Sequence, residues 1–230
     1  MAGPALSGPA YALLAYGLMA VGDAAAKAMA SRNPPLQIAF LYTISAVGLV
    51  AIWASRQGWD TLRPRRPWLV GLRAICSVVA GIGGLYAFVT LSLAEAYTLL
   101  FMAPVIVTAL SRPLLREPVG IHRWLAALAG LCGVVIVLRP GFRELGVGHA
   151  SGLVAASAIA VSGLVLRLIG KGEARTTLTL VPMCAGLLVT ASALPFVYAP
   201  MRASDLGLCL VMGILVAAGQ FLLVNAYRAS

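Results

Sequence analysis

Charge is what this sequence is shortest of. Only 10% of its 230 residues are charged, and just seven are acidic. A water-soluble domain carries about 25% charged and about 45–50% apolar residues. Here 61% are apolar, so the chain cannot cover a globule of this size with polar side chains. A bilayer removes that requirement, because lipid accepts apolar side chains facing outward. Histidine is nearly missing: His122 and His149 stand far apart at the edges of apolar runs, with no acidic partner in view. The four cysteines, Cys76, Cys132, Cys184 and Cys209, fall inside apolar runs. Their spacing matches neither a metal motif nor a disulfide framework, so they read as small packing residues. The chain also lacks a phosphate loop, HExxH, GxSxG and a dinucleotide fingerprint; Gly81, Gly83 and Gly84 sit within an apolar run with no strand before them. These absences argue against an enzyme, and no cofactor or metal is expected. A lipid-modifying membrane enzyme would need acids or histidines clustered at an interface. A cleavable signal peptide is excluded too, since the first run has no basic leader and outlasts a 7–15-residue apolar region.

What the chain does have is apolar length. A bilayer crossing needs about 20 mostly apolar residues at 1.5 Å each. Candidate spans are 9–30, 36–54, 68–91, 95–113, 121–139, 150–170, 177–198 and 205–228. Turn and charge signals separate them: Asn33-Pro34-Pro35, Arg63-Pro64-Arg65-Arg66-Pro67, Arg116-Glu117-Pro118, Arg139-Pro140-Gly141, Lys171-Gly172-Glu173 and Ala199-Pro200. The break between the third and fourth spans rests on Ser92 and Glu95 alone, which predicts a very tight hairpin. The expected fold is an all-α membrane protein, a polytopic bundle of about eight transmembrane helices.

A net charge of +10 could suggest nucleic acid, but no aromatic-basic module accompanies it, and no nucleic-acid partner is expected. The placement of the charge follows membrane topology instead. Assigned to the nearer span end, Arg56, Arg63, Arg65, Arg66, Arg73, Arg112, Arg116, Arg123, Arg167, Lys171, Arg175 and Arg228 fall on one side. Lys27, Arg32, Arg139, Arg143 and Arg202 fall on the other. Positive residues stay cytoplasmic during insertion. This predicts a multi-pass protein of a bacterial inner (plasma) membrane with both chain ends cytoplasmic, its partner the lipid bilayer, with anionic lipid at the basic face.

Small residues four apart allow backbones to approach. Ala80/Gly84, Ala126/Gly130, Ala129/Gly133 and Gly213/Ala217 have this spacing. An internal repeat is also legible. Ser7-Gly8 opens the first span and Ser151-Gly152 the sixth, each followed by a long span, a polar break and two further spans. Residues 1–141 would form one five-helix unit and 150–230 three helices of a second. Five crossings are an odd number, so tandem copies insert in opposite orientations. Inverted repeats mark secondary transporters, with a midplane site between the halves.

Ala94-Glu95-Ala96-Tyr97-Thr98-Leu99-Leu100-Phe101-Met102-Ala103-Pro104 resembles the start of the fourth helix in EamA-type members of the drug/metabolite transporter superfamily. Pro104 and Glu117, then Arg123, Gly130-Leu131-Cys132-Gly133-Val134-Val135 and Arg139-Pro140-Gly141, follow in the family's order. The resemblance implies two inverted five-helix repeats that move small organic solutes, with efflux the commoner direction. The chain stops where the second copy's fourth helix would begin, which suggests a ten-helix protein cut short. The alternative expectation is a non-transporting structural or regulatory membrane subunit. Homo-oligomerisation is one way such a chain would complete its bundle.

Ionisable groups inside a membrane are costly and are functional candidates by default. Asp23 and Lys27 lie four apart on one face of the first span, with Tyr16 nearly in line; a purely structural reading has Lys27 reaching to the interface and pairing with Asp23. Gln220 and Asn225 in the eighth span need partners if buried. The family resemblance adds Tyr86 and Phe101, with Met102 beside it, as cavity residues. The candidate substrate-binding set is therefore Tyr16, Asp23, Tyr86, Phe101, Gln220 and Asn225. Arg73 and Glu117 read as interfacial or gating-side charges, structural rather than substrate-binding in role. Pro104 should release a backbone carbonyl and bend its helix. Coupling to protons would most simply use Asp23; no nucleotide-binding domain suggests ATP drive.

Overall fold

The computed structural model describes residues 7–56, 62–115, 120–138, 145–170 and 172–229. Glu117, Arg139-Pro140-Gly141 and Lys171 lie outside the described residues, as does the side chain of Arg123. Nine α-helices and no strands occur among the described residues: α1 Gly8–Ala30, α2 Pro35–Ser55, α3 Pro67–Thr90, α4 Leu93–Leu100, α5 Met102–Leu115, α6 Ile121–Leu138, α7 Val147–Ile169, α8 Arg175–Val197 and α9 Ala203–Ala229. Among the described residues seven stretches are long and apolar enough to cross a membrane, with α4 and α5 together forming the one at Leu93–Leu114. The 18-residue α6 occupies the remaining expected span.

Local chemistry sets the helix ends. Pro9, Pro35 and Pro67 each stand in a first turn, where a missing N–H costs nothing and φ is already helical. The tight hairpin between the third and fourth spans is real, and a capping box builds it. The Ser92 hydroxyl accepts from the Glu95 N–H, and the Glu95 carboxylate accepts from the Ser92 N–H at 3.1 Å. Two otherwise orphaned donors are thereby satisfied at the head of α4.

The fourth span is interrupted, and the break falls upstream of the proline held responsible. Helix α4 ends at Leu100, Phe101 caps it, and α5 starts at Met102, so Pro104 lies in the first turn of α5. A proline ring clashes with the carbonyl four residues before it and supplies no N–H to that carbonyl. For Pro104 that carbonyl belongs to Leu100, the last residue of α4.

The chain divides into two compact units. The first holds α1, α2, the start of α3 through Ala74, and α8 and α9. Within it α9 packs on both α1 and α2, and α2 also packs on α8. Lipid tails are as apolar as leucine, so such helices associate through close packing rather than water exclusion. Gly213 makes this possible: a Cβ there would sit 2.7 Å from the Tyr42 carbonyl oxygen of α2. Gly219 does the same toward α1, at 3.2 Å from the Ala15 carbonyl oxygen. Trp53 and Phe221 add an edge-to-face ring pair at 4.8 Å, a geometry worth about 0.5–1.5 kcal/mol.

The second unit holds the rest of α3 and α4 to α7 through Leu168. Here Gly83, rather than the expected Gly84, is the point of closest approach. A Cβ on Gly83 would lie 2.9 Å from the Ser151 carbonyl oxygen of α7, while Gly84 has only Phe88 of its own helix nearby. Gly152 is pressed against Leu99, and Ala103, Ala156 and Ala160 form a small-residue seam between α5 and α7. No described atom comes within 4 Å of a Cβ on Gly130 or Gly133, so their spacing marks no close contact here.

Candidate functional site

The four-helix unit carries polar groups at both of its ends. At one end the α1–α2 turn meets the α8–α9 turn. The Asn33 side-chain amide donates to an Asp205 carboxylate oxygen at 2.9 Å and to the Met29 carbonyl at 3.3 Å. The other Asp205 oxygen faces Arg32 at 3.7 Å. Gln37 donates to the Ala199 carbonyl at 2.7 Å and accepts from its N–H at 2.8 Å. Asn33, Gln37 and Asp205 are all buried. Asp205 also stands in the first turn of α9, where the helix dipole favours a negative charge. This clasp ties two turns that the sequence treats only as breaks between spans.

At the opposite end the Arg66 N–H donates to a Glu173 carboxylate oxygen, joining the heads of α3 and α8. Two turns inside lies Arg73, only 2% exposed, a cation enclosed by the protein. Tyr227 of α9 is close enough to interact electrostatically with both Arg73 and Tyr16. The first turns of α8 are buried as well, including Thr176, Thr177 and Thr179. The Thr179 hydroxyl and the Asn225 Oδ1 are buried with no hydrogen-bond partner among the described residues. A buried polar atom left unpaired costs about 1–3 kcal/mol, which makes these two positions conspicuous.

Four of the six sequence candidates therefore lie in the four-helix unit. Tyr16 and Asp23 are on α1, with Asp23 half-buried and within electrostatic reach of Tyr42 on α2. Gln220 and Asn225 are on α9. Gln220 is seven residues from Gly213 and so shares the helix face turned to α2. Asp23 and Lys27 both have interaction partners within the protein. Tyr86 and Phe101 belong to the second unit; Phe101 is 68% exposed, and its ring tilts against Tyr97 at 6.4 Å. The sequence reasoning passed over Asn33, Gln37, Asp205, Glu173 and Thr179. Their signal was a polar residue within a turn or two of a span end, which is common in helical membrane proteins and points to no particular partner.

No group of three or more His, Cys, Asp or Glu side chains suited to a metal ion occurs among the described residues. What the arrangement offers is hydrogen bonding and charge inside an apolar bundle, the chemistry of binding and release.

Residues 6–139 match the family described as EamA-like transporters. The chain is 30% identical over 186 residues to a riboflavin transporter of Rhizobium johnstonii, covering 76% of this chain and 58% of that protein. It is 35% identical over 79 residues to a probable transport protein of Saccharomyces cerevisiae, covering 34% of this chain and 22% of that one. The chain thus spans little more than half the length of the first relative and less than a quarter of the second. A solved crystal structure superposes with a TM-score of 0.72 at 17% identity, over 96% of this chain and 80% of that one; at that identity the likeness concerns fold.

Proposed function

This chain belongs to the EamA-like transporter family, and we propose that it moves small organic solutes across the membrane by alternating access. It is a multi-pass integral membrane protein in direct contact with the lipid bilayer. The observation that carries the proposal is the family match, joined to polar residues placed inside apolar spans. Asp23, Asn225 and Arg73 are polar groups within apolar spans, where such groups are costly and are functional candidates by default. In our reading residues 1–141 form one repeat and 150–230 part of an inverted second. The proposed substrate contacts are Tyr16, Asp23, Gln220 and Asn225 in the first unit; Tyr86 and Phe101, in the second, are proposed separately. The basic excess on one side supports an orientation in a bacterial inner membrane with the N-terminus cytoplasmic, and export is the proposed direction.

The riboflavin transporter among its relatives names a first solute to try, beside amino acids and nucleoside-like metabolites. The test is uptake of radiolabelled solutes into inverted membrane vesicles, which report export as accumulation. Vesicles holding the protein should accumulate at least one solute above empty vesicles, and Asp23→Asn should abolish dependence on a pH gradient. No accumulation of any solute would transfer the protein to the non-transporting subunit class. Accumulation with an unchanged proton dependence in Asp23→Asn would remove Asp23 from coupling.

A further inference from the structure

The turn ahead of α3, Arg63-Pro64-Arg65-Arg66-Pro67, is dense in arginine. Its two prolines fix φ and remove backbone donors, so the segment is stiff and holds its arginines ahead of the helix. Leu62, just before it, packs against a core cluster that includes Val50 of α2 and Leu180 of α8. At the other end of the turn the Arg66 N–H donates to Glu173, which precedes Arg175 of α8 by two residues. The turn is thus pinned on both sides to the first unit. Arg63, Arg65, Arg66 and Arg175 all stand within three residues of one hydrogen bond, and all four are exposed.

Their charge is not spent inside the protein. The acid at this place, Glu173, is buried and accepts from a main-chain N–H, which leaves the Arg66 guanidinium to the surface. No ion pair engages any of the four arginines among the described residues. At the opposite end of the unit the buried acid, Asp205, does face an arginine, Arg32. Trp68 gives the depth. It is the second residue of α3 and is 68% exposed. A tryptophan at the head of a membrane span sits at headgroup level. The arginines of the turn precede it in the chain, on the water side of that level, where lipid phosphates lie. Membrane insertion requires only that positive residues stay on one side. It does not require them to be gathered on one stiff turn beside an exposed tryptophan.

We propose that this turn and the head of α8 form a docking site for the headgroup of an anionic phospholipid in the facing leaflet. The guanidinium groups supply paired N–H donors to phosphate oxygens, and the Trp68 ring anchors the lipid at the glycerol level. Each arginine near an anionic surface multiplies binding by about fivefold, and salt screens part of that gain. A zwitterionic headgroup carries its own cation, which the arginines repel, so the site selects lipids of net negative charge. A bound headgroup bridges the heads of α3 and α8, which the Arg66–Glu173 bond also joins. The site needs only that the chain spans a bilayer, and it is independent of what the protein transports.

The test uses the full chain with Trp53, Trp59 and Trp124 replaced by phenylalanine, so that Trp68 reports alone. It is placed in phosphatidylcholine nanodiscs holding a small fraction of acyl-brominated lipid, either phosphatidylglycerol or phosphatidylcholine. Brominated phosphatidylglycerol should quench Trp68 about threefold more than brominated phosphatidylcholine at the same fraction, and concentrated sodium chloride should remove most of that excess. Arg65→Gln and Arg175→Gln together should bring quenching down to the phosphatidylcholine level; both positions are exposed, so this variant should fold. Arg112→Gln, at an exposed arginine in the last turn of α5, should keep the excess. Equal quenching by the two lipids would overturn the proposal, as would an excess that survives Arg65→Gln with Arg175→Gln. An equal loss in Arg112→Gln would mean diffuse attraction to the basic face and would overturn a defined site. Relief of the excess by inorganic phosphate, against chloride at equal ionic strength, would assign the turn to a free anion and overturn the lipid. Mass spectrometry of the unaltered chain released from mixed-lipid micelles tests the site without the tryptophan replacements: phosphatidylglycerol should be retained over phosphatidylcholine, and equal retention would overturn the proposal.

Discussion

Replacing Asn33 by alanine isolates one buried interaction of known geometry. In the native protein its amide donates to Asp205 at 2.9 Å, and both residues are buried. The substitution leaves a buried carboxylate oxygen without its donor. An unsatisfied buried polar group costs about 1–3 kcal/mol, and more when it is charged, so we expect a loss of about 3 kcal/mol. Arg32 faces the same carboxylate, but at 3.7 Å and with its side chain 55% exposed. An exposed pair of that kind contributes about 0–1 kcal/mol, so Arg32→Ala should cost less than about 0.5 kcal/mol. Asp205→Asn keeps the shape and loses the charge at the helix N-terminus, for about 1 kcal/mol. The assay is reversible unfolding in mixed micelles by titration with a denaturing detergent, followed by tryptophan fluorescence and helical ellipticity. A double-mutant cycle between Asn33→Ala and Asp205→Ala should return a coupling of about 2 kcal/mol. If Asn33→Ala cost no more than Arg32→Ala, or if the coupling fell below about 0.5 kcal/mol, the clasp would be a surface feature and the burial argument would fail.

The glycines provide a contrast within one protein. Gly213→Ala should destabilise by about 1–3 kcal/mol in the same unfolding assay, because its Cβ would meet the Tyr42 carbonyl oxygen at 2.7 Å. Gly130→Ala meets no described atom within 4 Å and should stabilise by up to about 1 kcal/mol through helix propensity. Pro104→Ala restores an N–H for the Leu100 carbonyl and should join α4 to α5 in one helix. Spin-label distances between positions in the two helices would report this as a straighter, narrower distribution, and unchanged distances would show that Phe101 breaks the helix without the proline.

How much of this was legible beforehand depends on the range of each interaction. The hairpin at Ser92 and Glu95 was read from two residues, because a capping box spans only four positions. The bend expected from Pro104 appears as a break at Phe101, because a proline acts on the carbonyl one turn before it rather than at its own position. Arg73 was read as an interfacial or gating-side charge, since it stands near the head of its span; that neighbouring helices enclose it lay beyond the sequence. Ala126/Gly130 and Gly213/Ala217 look alike as strings. Only the second pair faces a helix close enough to need it, because small spacing permits approach without naming a partner.

The sequence by itself determined that the chain is helical, that it lives in lipid, where its spans lie and which family it resembles. Those properties are sums over neighbouring residues: twenty apolar side chains match the bilayer, and prolines and caps act within one turn. Only the tertiary structure decided that Asn33 serves Asp205 across 172 positions and Gln37 serves Ala199 across 162. It alone decided that the Thr179 hydroxyl and the Asn225 Oδ1 are buried with no hydrogen-bond partner among the described residues. A polar residue near a span end is equally at home in water, in a headgroup or inside a clasp, and what settles the choice is which distant helix packs over it.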